Sequence, residues 1–415
     1  MAKNYSDGIS RRRLAQSRWA SRYGLAKLTE AGGDIELTQK KVAVVILSIA
    51  LLLFACQPAR KPVETVVIDP VELQTFADAF FAEQMEALHI PGLTFIFVQG
   101  GDVIYARGYG YANLETATPV NADSSVVRIG SISKPFVATT VMQLVEQGKL
   151  DLHTDINQYL TAFQLEDTFP EPVTLAHLLT HTAGFEDPPY SSNTDPQQVQ
   201  PLGAFLTANM PPRTHPPGDD FIYSNYGYAL AALIVEEVSG TPFDQFVEQN
   251  IFKPLGMTQS SYLLAPPLPE NMTTGYLYQD GVQITQPVDY DNDYPGGSII
   301  STAEDMSHFI LAHLQDGCYH GVCVLQATTL AEMHQRQAKT PFEGQNVTFG
   351  FVEGISDKAR LIGHSGAIRG FGSSLNMFPE HDMGYFFAFN AECYETSACQ
   401  IVPEFRKQFL EWFFR

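Results

Sequence analysis

Ser131 and Lys134 stand three residues apart in Gly130-Ser131-Ile132-Ser133-Lys134-Pro135-Phe136. On a helix that spacing puts both side chains on one face, one turn apart, within reach of a shared proton. A serine hydroxyl is a poor nucleophile at neutral pH unless a neighbour takes its proton. A lysine serves if burial or nearby charge lowers its pKa. The same stretch also reads as an ordinary helix start, with Ser131 as N-cap and Lys134 in water. A chain this long holds about one Ser-x-x-Lys by chance. Two later triplets decide the matter.

The first is Tyr223-Ser224-Asn225. A phenol beside a lysine ammonium can act as base toward Ser131 and then as acid toward a leaving group. Asn225 supplies an amide to hold substrate or Lys134. Tyr111-Ala112-Asn113 and Tyr290-Asp291-Asn292 share the pattern. The former reads as a strand end; the latter lies in a polar loop and is a rival. The second triplet, His364-Ser365-Gly366, ends an apolar strand. Gly366 lets backbone approach a substrate closely. The next amide, that of Ala367, pairs with that of Ser131 as an oxyanion hole. His177 and His181 lie four apart, but no third metal ligand presents itself, and packing at a helix end is the plainer reading. No metal or cofactor is expected.

These groups need a frame. Asp69-Pro70 caps and opens a helix to about Leu88, with Leu73, Phe76 and Phe80 at helical spacing. Leu93–Val98 and Val103–Tyr111 read as a hairpin about Gly100-Gly101. A helix then runs from the Ser131 stretch to about Gln147, and Gly148 stops it. Helical patterning recurs at 174–181, 200–209, 225–238 and 242–252, between Pro-containing loops. Ser301-Thr302-Ala303-Glu304 is a capping box that opens a further helix. Strands return at Thr348–Val352, Arg360–His364, Ser373–Phe378 and Met383–Asn390, and a last helix spans Val402–Phe414. This order predicts an α+β fold. Strands from both ends form one antiparallel sheet flanked by helices, and residues 151–288 form an inserted all-helical lobe. A site belongs in the cleft between them.

Hydrophobic residues make up 45% of the chain, enough for a packed core. The formal net charge is -21. Nine of the 25 Lys/Arg and four of the 46 Asp/Glu lie in the first 55 residues, so the rest carries -26. Such a body repels nucleic acid and anionic lipid; solubility is the bland reading of the charge. Lys40-Lys41 precede an apolar run, Val42–Ala55, broken only by Ser48, which has the length of a signal-peptide h-region. Leu53-Phe54-Ala55-Cys56 resembles the lipobox of bacterial lipoproteins, which implies a lipidated Cys56 and a membrane anchor. The rival is an uncleaved signal anchor. Residues 1–56 are therefore read as extension and lipoprotein-type signal peptide, 57–65 as linker and 66–415 as the functional domain. Cys318, Cys323, Cys393 and Cys399 form two close pairs, which suits an oxidising compartment. Bridges 318–323 and 393–399 are preferred among three pairings.

In order, Ser131-Ile132-Ser133-Lys134, Tyr223-Ser224-Asn225 and His364-Ser365-Gly366 resemble the motifs of the serine hydrolases that share the fold of penicillin-binding proteins and class C β-lactamases. Glu146-Gln147-Gly148-Lys149-Leu150, Leu178 to Gly184, and Pro295-Gly296-Gly297 with Ser301-Thr302 resemble its connecting segments. The likeness covers roughly residues 66–415. It implies a β-lactamase/DD-peptidase-like fold and acyl-enzyme chemistry without metal. Ser131, Lys134 and Tyr223 are then catalytic, Asn225, His364, Ser365 and Gly366 meet substrate, and the Ser131 and Ala367 amides hold the oxyanion. Class C β-lactamases resemble this chain but carry Lys-Thr-Gly where it has His364-Ser365-Gly366. A histidine there is found among D-amino-acid peptidases, DD-carboxypeptidases and esterases of the family.

The expectation is a periplasmic, membrane-anchored serine hydrolase of the cell envelope. It acts on amide or ester bonds of small molecules or peptides with D-residues, peptidoglycan fragments included. A weak β-lactamase is the alternative within the class, and a penicillin-recognising or non-catalytic binding module the alternative outside it. Arg369 reads as a surface arginine or a carboxylate clamp. Gly363-His364-Ser365-Gly366-Ala367 falls one glycine short of the α/β-hydrolase nucleophile elbow, and the βα alternation that fold needs is missing.

Overall fold

Asp69 caps the first helix. Its carboxylate accepts from the Val71 amide at 2.7 Å, and Pro70 fills the first helical position of α1 (Pro70–Ala87). The strands β1 (Gly92–Gln99) and β2 (Asp102–Asn113) then pair antiparallel about Gly100 and Gly101, which adopt φ of 64° and 93°. The computed structural model describes residues 67–187, 192–262, 265–355 and 358–414, all within one unit, Glu64–Arg415. The expected signal segment, Cys56 and the linker 57–65 lie outside the described residues. Among the described residues no helix is long and apolar enough to cross a membrane.

One sheet organises the unit. It continues with β3 (Thr118–Pro119), β4 (Ala338–Lys339), β5 (Gln345–Val347), β6 (Val352–Ile355), β7 (Arg360–Ile368), β8 (Phe371–Phe378) and β9 (Met383–Phe389). Among the described residues its order is β4-β5-β6-β7-β8-β9-β1-β2-β3, antiparallel throughout. The two ends of the chain meet at its centre, where Leu93 faces Phe389 and Gln99 faces Met383. Strand alternation splits β1: Leu93, Phe95 and Phe97 join one core, Ile96 and Val98 the other. Helices cover both faces, as a fully buried strand requires.

The helices α2 (Ser133–Glu146), α3 (Asn225–Ser239) and α4 (Ala303–Leu314) share the larger core. On the opposite face, α1 and α5 (Ile401–Phe413) enclose an aromatic cluster centred on Phe405. That ring has seven aromatic neighbours at 4.9–6.0 Å between centroids: Phe76, Phe80, Phe81, Phe95, Tyr385, Phe387 and Phe409.

Three expectations need correction. The segment 151–288 is helical only in its first part. Short helices at Leu175–Leu179, Leu202–Ala208 and Phe243–Val247 accompany α3. Ser261–Tyr262 then joins Val127–Arg128 and Ile299–Ser301 in a small sheet, and Tyr276–Gln279 pairs with Val282–Thr285. Asp280 and Gly281 both adopt positive φ, 52° and 85°, so Asp-Gly made a hairpin where a loop was expected. Thr348–Phe351 is not a strand, and β6 begins only at Val352: Thr348 N–H donates to Phe351 O at 2.9 Å, and Gly350 turns the chain at φ 87°. Phe349 and Phe351 carry a strand-like pattern because both are buried from that turn. The helix cap is Thr302, whose hydroxyl accepts from Asp305 N–H at 3.1 Å, one residue beyond the expected box.

The two expected bridges are present, Cys318–Cys323 and Cys393–Cys399.

Replacing Phe405 with Ala empties the centre of the aromatic cluster, so urea denaturation should show a loss of about 3–5 kcal/mol. A loss below about 1 kcal/mol would mean that this core collapses freely around the gap.

Candidate active site

The Ser131 turn is shaped before any chemistry is placed on it. Gly130 adopts φ 54°, and a Cβ there would lie 2.9 Å from Ala367 N. Gly366 is held just as closely, since a Cβ on it would overlap Ile129 O and Ser373 Oγ. Its small size serves contact between β7 and the Ser131 turn, and Gly366 also lines a cavity beside Ser131. Ser133 locks the turn: its hydroxyl donates to Gly130 O at 2.8 Å and accepts from Ile299 N–H at 3.2 Å. Ser373 Oγ donates to Ile129 O at 2.8 Å.

Lys134 sits on the first turn of α2 with 0% exposure. Its ammonium has three N–H groups and three acceptors: Ser131 Oγ at 3.1 Å, Asn225 Oδ1 at 2.7 Å and Gly296 O at 2.9 Å. Nζ also lies 4.8 Å from the Tyr223 ring centroid. Asn225 thus holds Lys134, the second of its two expected uses. Tyr223 OH reaches Ser131 Oγ at 2.9 Å, while its ring is 40% exposed to the cleft. The rival Tyr290 is buried in a short strand beside Asp291, whose carboxylate pairs with Arg128.

Ser224 fixes the start of α3, accepting from Gly227 N–H at 3.1 Å and donating to Asp187 at 2.9 Å. Behind Tyr223 stands His181, stacked on it at 4.3 Å and 26°. Its Nδ1 accepts from Ser224 N–H at 3.0 Å, and its backbone adopts φ 58°. Burial, then the charges of Lys134 and His364, hold its imidazolium well below the usual range. The expectation of helix-end packing missed this placement. An L-residue with positive φ is costly and clusters at sites, but φ is not written in residue types. His177 instead closes a capping box with Thr174. Among the described residues no group of three or more His, Cys, Asp and Glu is arranged to hold a metal ion.

Alternation along β7 sends Ile362 and Ile368 to the α2 core and Leu361 to the opposite one. His364 shares the Ile362 face and feels Lys134. Burial, then that charge, lowers its pKa to about 4. Its Nδ1 lies 2.7 Å from Ser365 O. A carbonyl only accepts, so Nδ1 carries the hydrogen and Nε2 the lone pair. Ser365 is exposed. Ser131, Tyr223, His364, Ser365, Ala367 and Tyr394 all line a cavity of about 480 Å³. Tyr394 was not anticipated. The Cys393–Cys399 bridge closes its loop, and its hydroxyl donates to Ala367 O at 2.9 Å. Arg369 is neither free nor in this cavity: its Nε lies 3.2 Å from Asp289.

Known proteins share this arrangement's frame. Penicillin-binding protein 4* of Bacillus subtilis (strain 168) is 26% identical over 323 residues, covering 72% of this chain and 68% of that protein. The chain spans between 61% and 68% of the length of the curated relatives it matches. The octameric penicillin-binding protein homologue from Pyrococcus abyssi superposes with a TM-score of 0.68 at 26% identity, over 80% of this chain and 74% of that one. The D-amino acid amidase from Ochrobactrum anthropi SV3 shares the fold, with a TM-score of 0.63 at 23% identity over 77% of this chain and 91% of that one. A model of the Beta-lactamase family matches residues 77–399, a span that takes in the whole Ser131 cluster, and the chain therefore belongs to that family as a serine hydrolase.

Proposed function

We propose that this protein cleaves amide or ester bonds through an acyl-enzyme on Ser131. The observation that carries the reading is Ser131 Oγ held between Lys134 Nζ at 3.1 Å and Tyr223 OH at 2.9 Å. Ser131 Oγ bonds to the substrate carbonyl carbon, and its proton passes to Tyr223, which acts as phenolate with its charge balanced by the Lys134 ammonium. The carbonyl π electrons move onto oxygen, which the Ser131 and Ala367 amides receive. When the intermediate collapses, the C–N or C–O bond breaks and the leaving amine or alcohol takes the proton back. Water repeats the sequence on the acyl group, releasing an acid and restoring Ser131. Lys134 commits every N–H to a fixed acceptor, so it contributes a charge in a fixed place.

Peptides with D-residues, peptidoglycan fragments among them, and small esters are the proposed substrates. The likeness to Penicillin-binding protein 4* supports this class. So does His364, whose neutral ring offers Nε2 as an acceptor rather than a charge for a substrate carboxylate. The cell envelope, outside the cytoplasm, is the proposed location, with the membrane held through the N-terminal segment. Two disulfides favour such an oxidising compartment.

Ser131→Ala should abolish covalent labelling by a fluorophosphonate, read by intact mass and peptide mapping, while Ser365→Ala keeps it. Labelling that survives in the first and disappears in the second would overturn the assignment. Tyr223→Phe keeps the ring and its packing but should lower kcat by about 10²–10⁴-fold on a p-nitrophenyl ester.

The neutral state of His364 has a stability consequence. Its folded pKa of about 4 lies below the ordinary 6.5, so the unfolded chain binds a proton in that window and the folded chain does not. Stability from this group is therefore present above pH 6.5 and lost as pH falls toward 4. Between pH 7 and 4.5 wild type should lose about 2–3 kcal/mol more than His364→Gln in urea denaturation. Parallel pH profiles for the two proteins would show that His364 titrates normally.

A further inference from the structure

A recess of about 40 Å³ opens beside the nucleophile, lined by Ser131, Asn225, Asp293, Gly296, Ala367 and Tyr394 among others. Its size admits a small polar group such as a primary ammonium. Two carboxylates border it, Asp291 and Asp293, and they differ in what holds them. Asp291 accepts from Ser298 Oγ at 2.7 Å and pairs with Arg128 at 3.3 Å. Asp293 is held only by its own backbone amide; among the described residues no ion pair reaches it.

Among the described residues no cation donates a hydrogen bond to that carboxylate, and the charge of Lys134 reaches it only through space. Lys134 is the nearby cation, but all its N–H groups point to other acceptors. Burial, and then the negative charges of Asp291 and Asp187, raise the Asp293 carboxyl to about 6. A buried carboxylate that lacks a partner is costly unless a ligand supplies one.

We propose that Asp293 binds the free α-ammonium group of the acyl donor, so that the preferred substrates are aminoacyl amides or esters with an unblocked amine. The proposal rests on the Ser131 reading above and names its substrate class. The geometry is that of one cleft: Asp293 and Ser131 line the same recess, and Ser131 also lines the larger cavity. An acyl group whose carbonyl sits at Ser131 Oγ thereby places its α-substituent beside Asp293, while the leaving group extends into the larger space. An N-acetyl group removes the charge.

The test uses hydrolysis of p-nitrophenyl acetate by the intact protein, with D-alaninamide or N-acetyl-D-alaninamide as competitor. Wild type should be inhibited by the free amine at about 10- to 100-fold lower concentration than by the acetylated compound. In Asp293→Asn that ratio should fall to near one. Equal inhibition by both compounds in wild type overturns the proposal without any variant, and so does a ratio that persists in Asp293→Asn. If the ester is not hydrolysed and no fluorophosphonate adduct forms on Ser131, the Ser131 reading itself fails and this one falls with it.

Discussion

The buried ammonium of Lys134 is the constraint on which the rest depends. An unpaired charge at that depth would cost several kcal/mol. Three acceptors offset it, and they come from three parts of the chain: the Ser131 turn, the start of α3 at Asn225 and the Tyr294–Gly296 turn. The sequence separations to the last two are 91 and 162 residues. Folding these segments together is therefore the same event as satisfying the lysine. A chain that assembled the sheet but misplaced α3 would leave one N–H without an acceptor. The placement of Ser131 Oγ is built into that requirement, because it is one of the three.

The sheet supplies the second half of the site. β6 pairs with β7 only over Arg360–Gly363, so the His364–Ile368 half of β7 is bordered on that side by the Ser131 turn instead of a strand. Gly130 and Gly366 allow this contact, and Ser373 ties it from the next strand. The rigidity comes from the other face, where the Phe405 cluster clamps α1 and α5 onto β1 and β9. The order of elements explains why both ends of the chain are needed: β1 and β9 are neighbours at the sheet centre.

Much of this was legible in residue types. Ser131, Lys134 and Tyr223 were readable because chemistry restricts what can stand there and the triplets come in a fixed order. The α+β order and the meeting of terminal strands followed from periodicity. What was not legible depends on three-dimensional contact. Gly366 looked like room for substrate and lines the cleft, but it is also room for Ile129 O. His181 looked like packing and backs Tyr223, because a left-handed backbone and a stacked ring leave no trace in spacing. Asp293 gave no signal at all: the second of two aspartates in a polar loop, just after Tyr290-Asp291-Asn292, becomes distinctive only once Asp291 proves to have an ion pair and Asp293, among the described residues, does not.

The charges of the cleft follow from one another. Burial, and then the charge of Lys134, depresses protonation of both His181 and His364, so both imidazoles are neutral. A lysine in place of His364, as in the class C enzymes this chain resembles, would put a second ammonium close to Lys134 and give the cleft a cation for a carboxylate. With His364 the balance shifts the other way. The fixed positive charge at Lys134 is already shared among neutral acceptors, and the charge left exposed to a ligand beside Ser131 is the negative one of Asp293. The substitution at the third motif and the unpaired carboxylate thus act in the same direction: each makes an acyl donor with a cationic α-substituent a better electrostatic match than one with an anionic group.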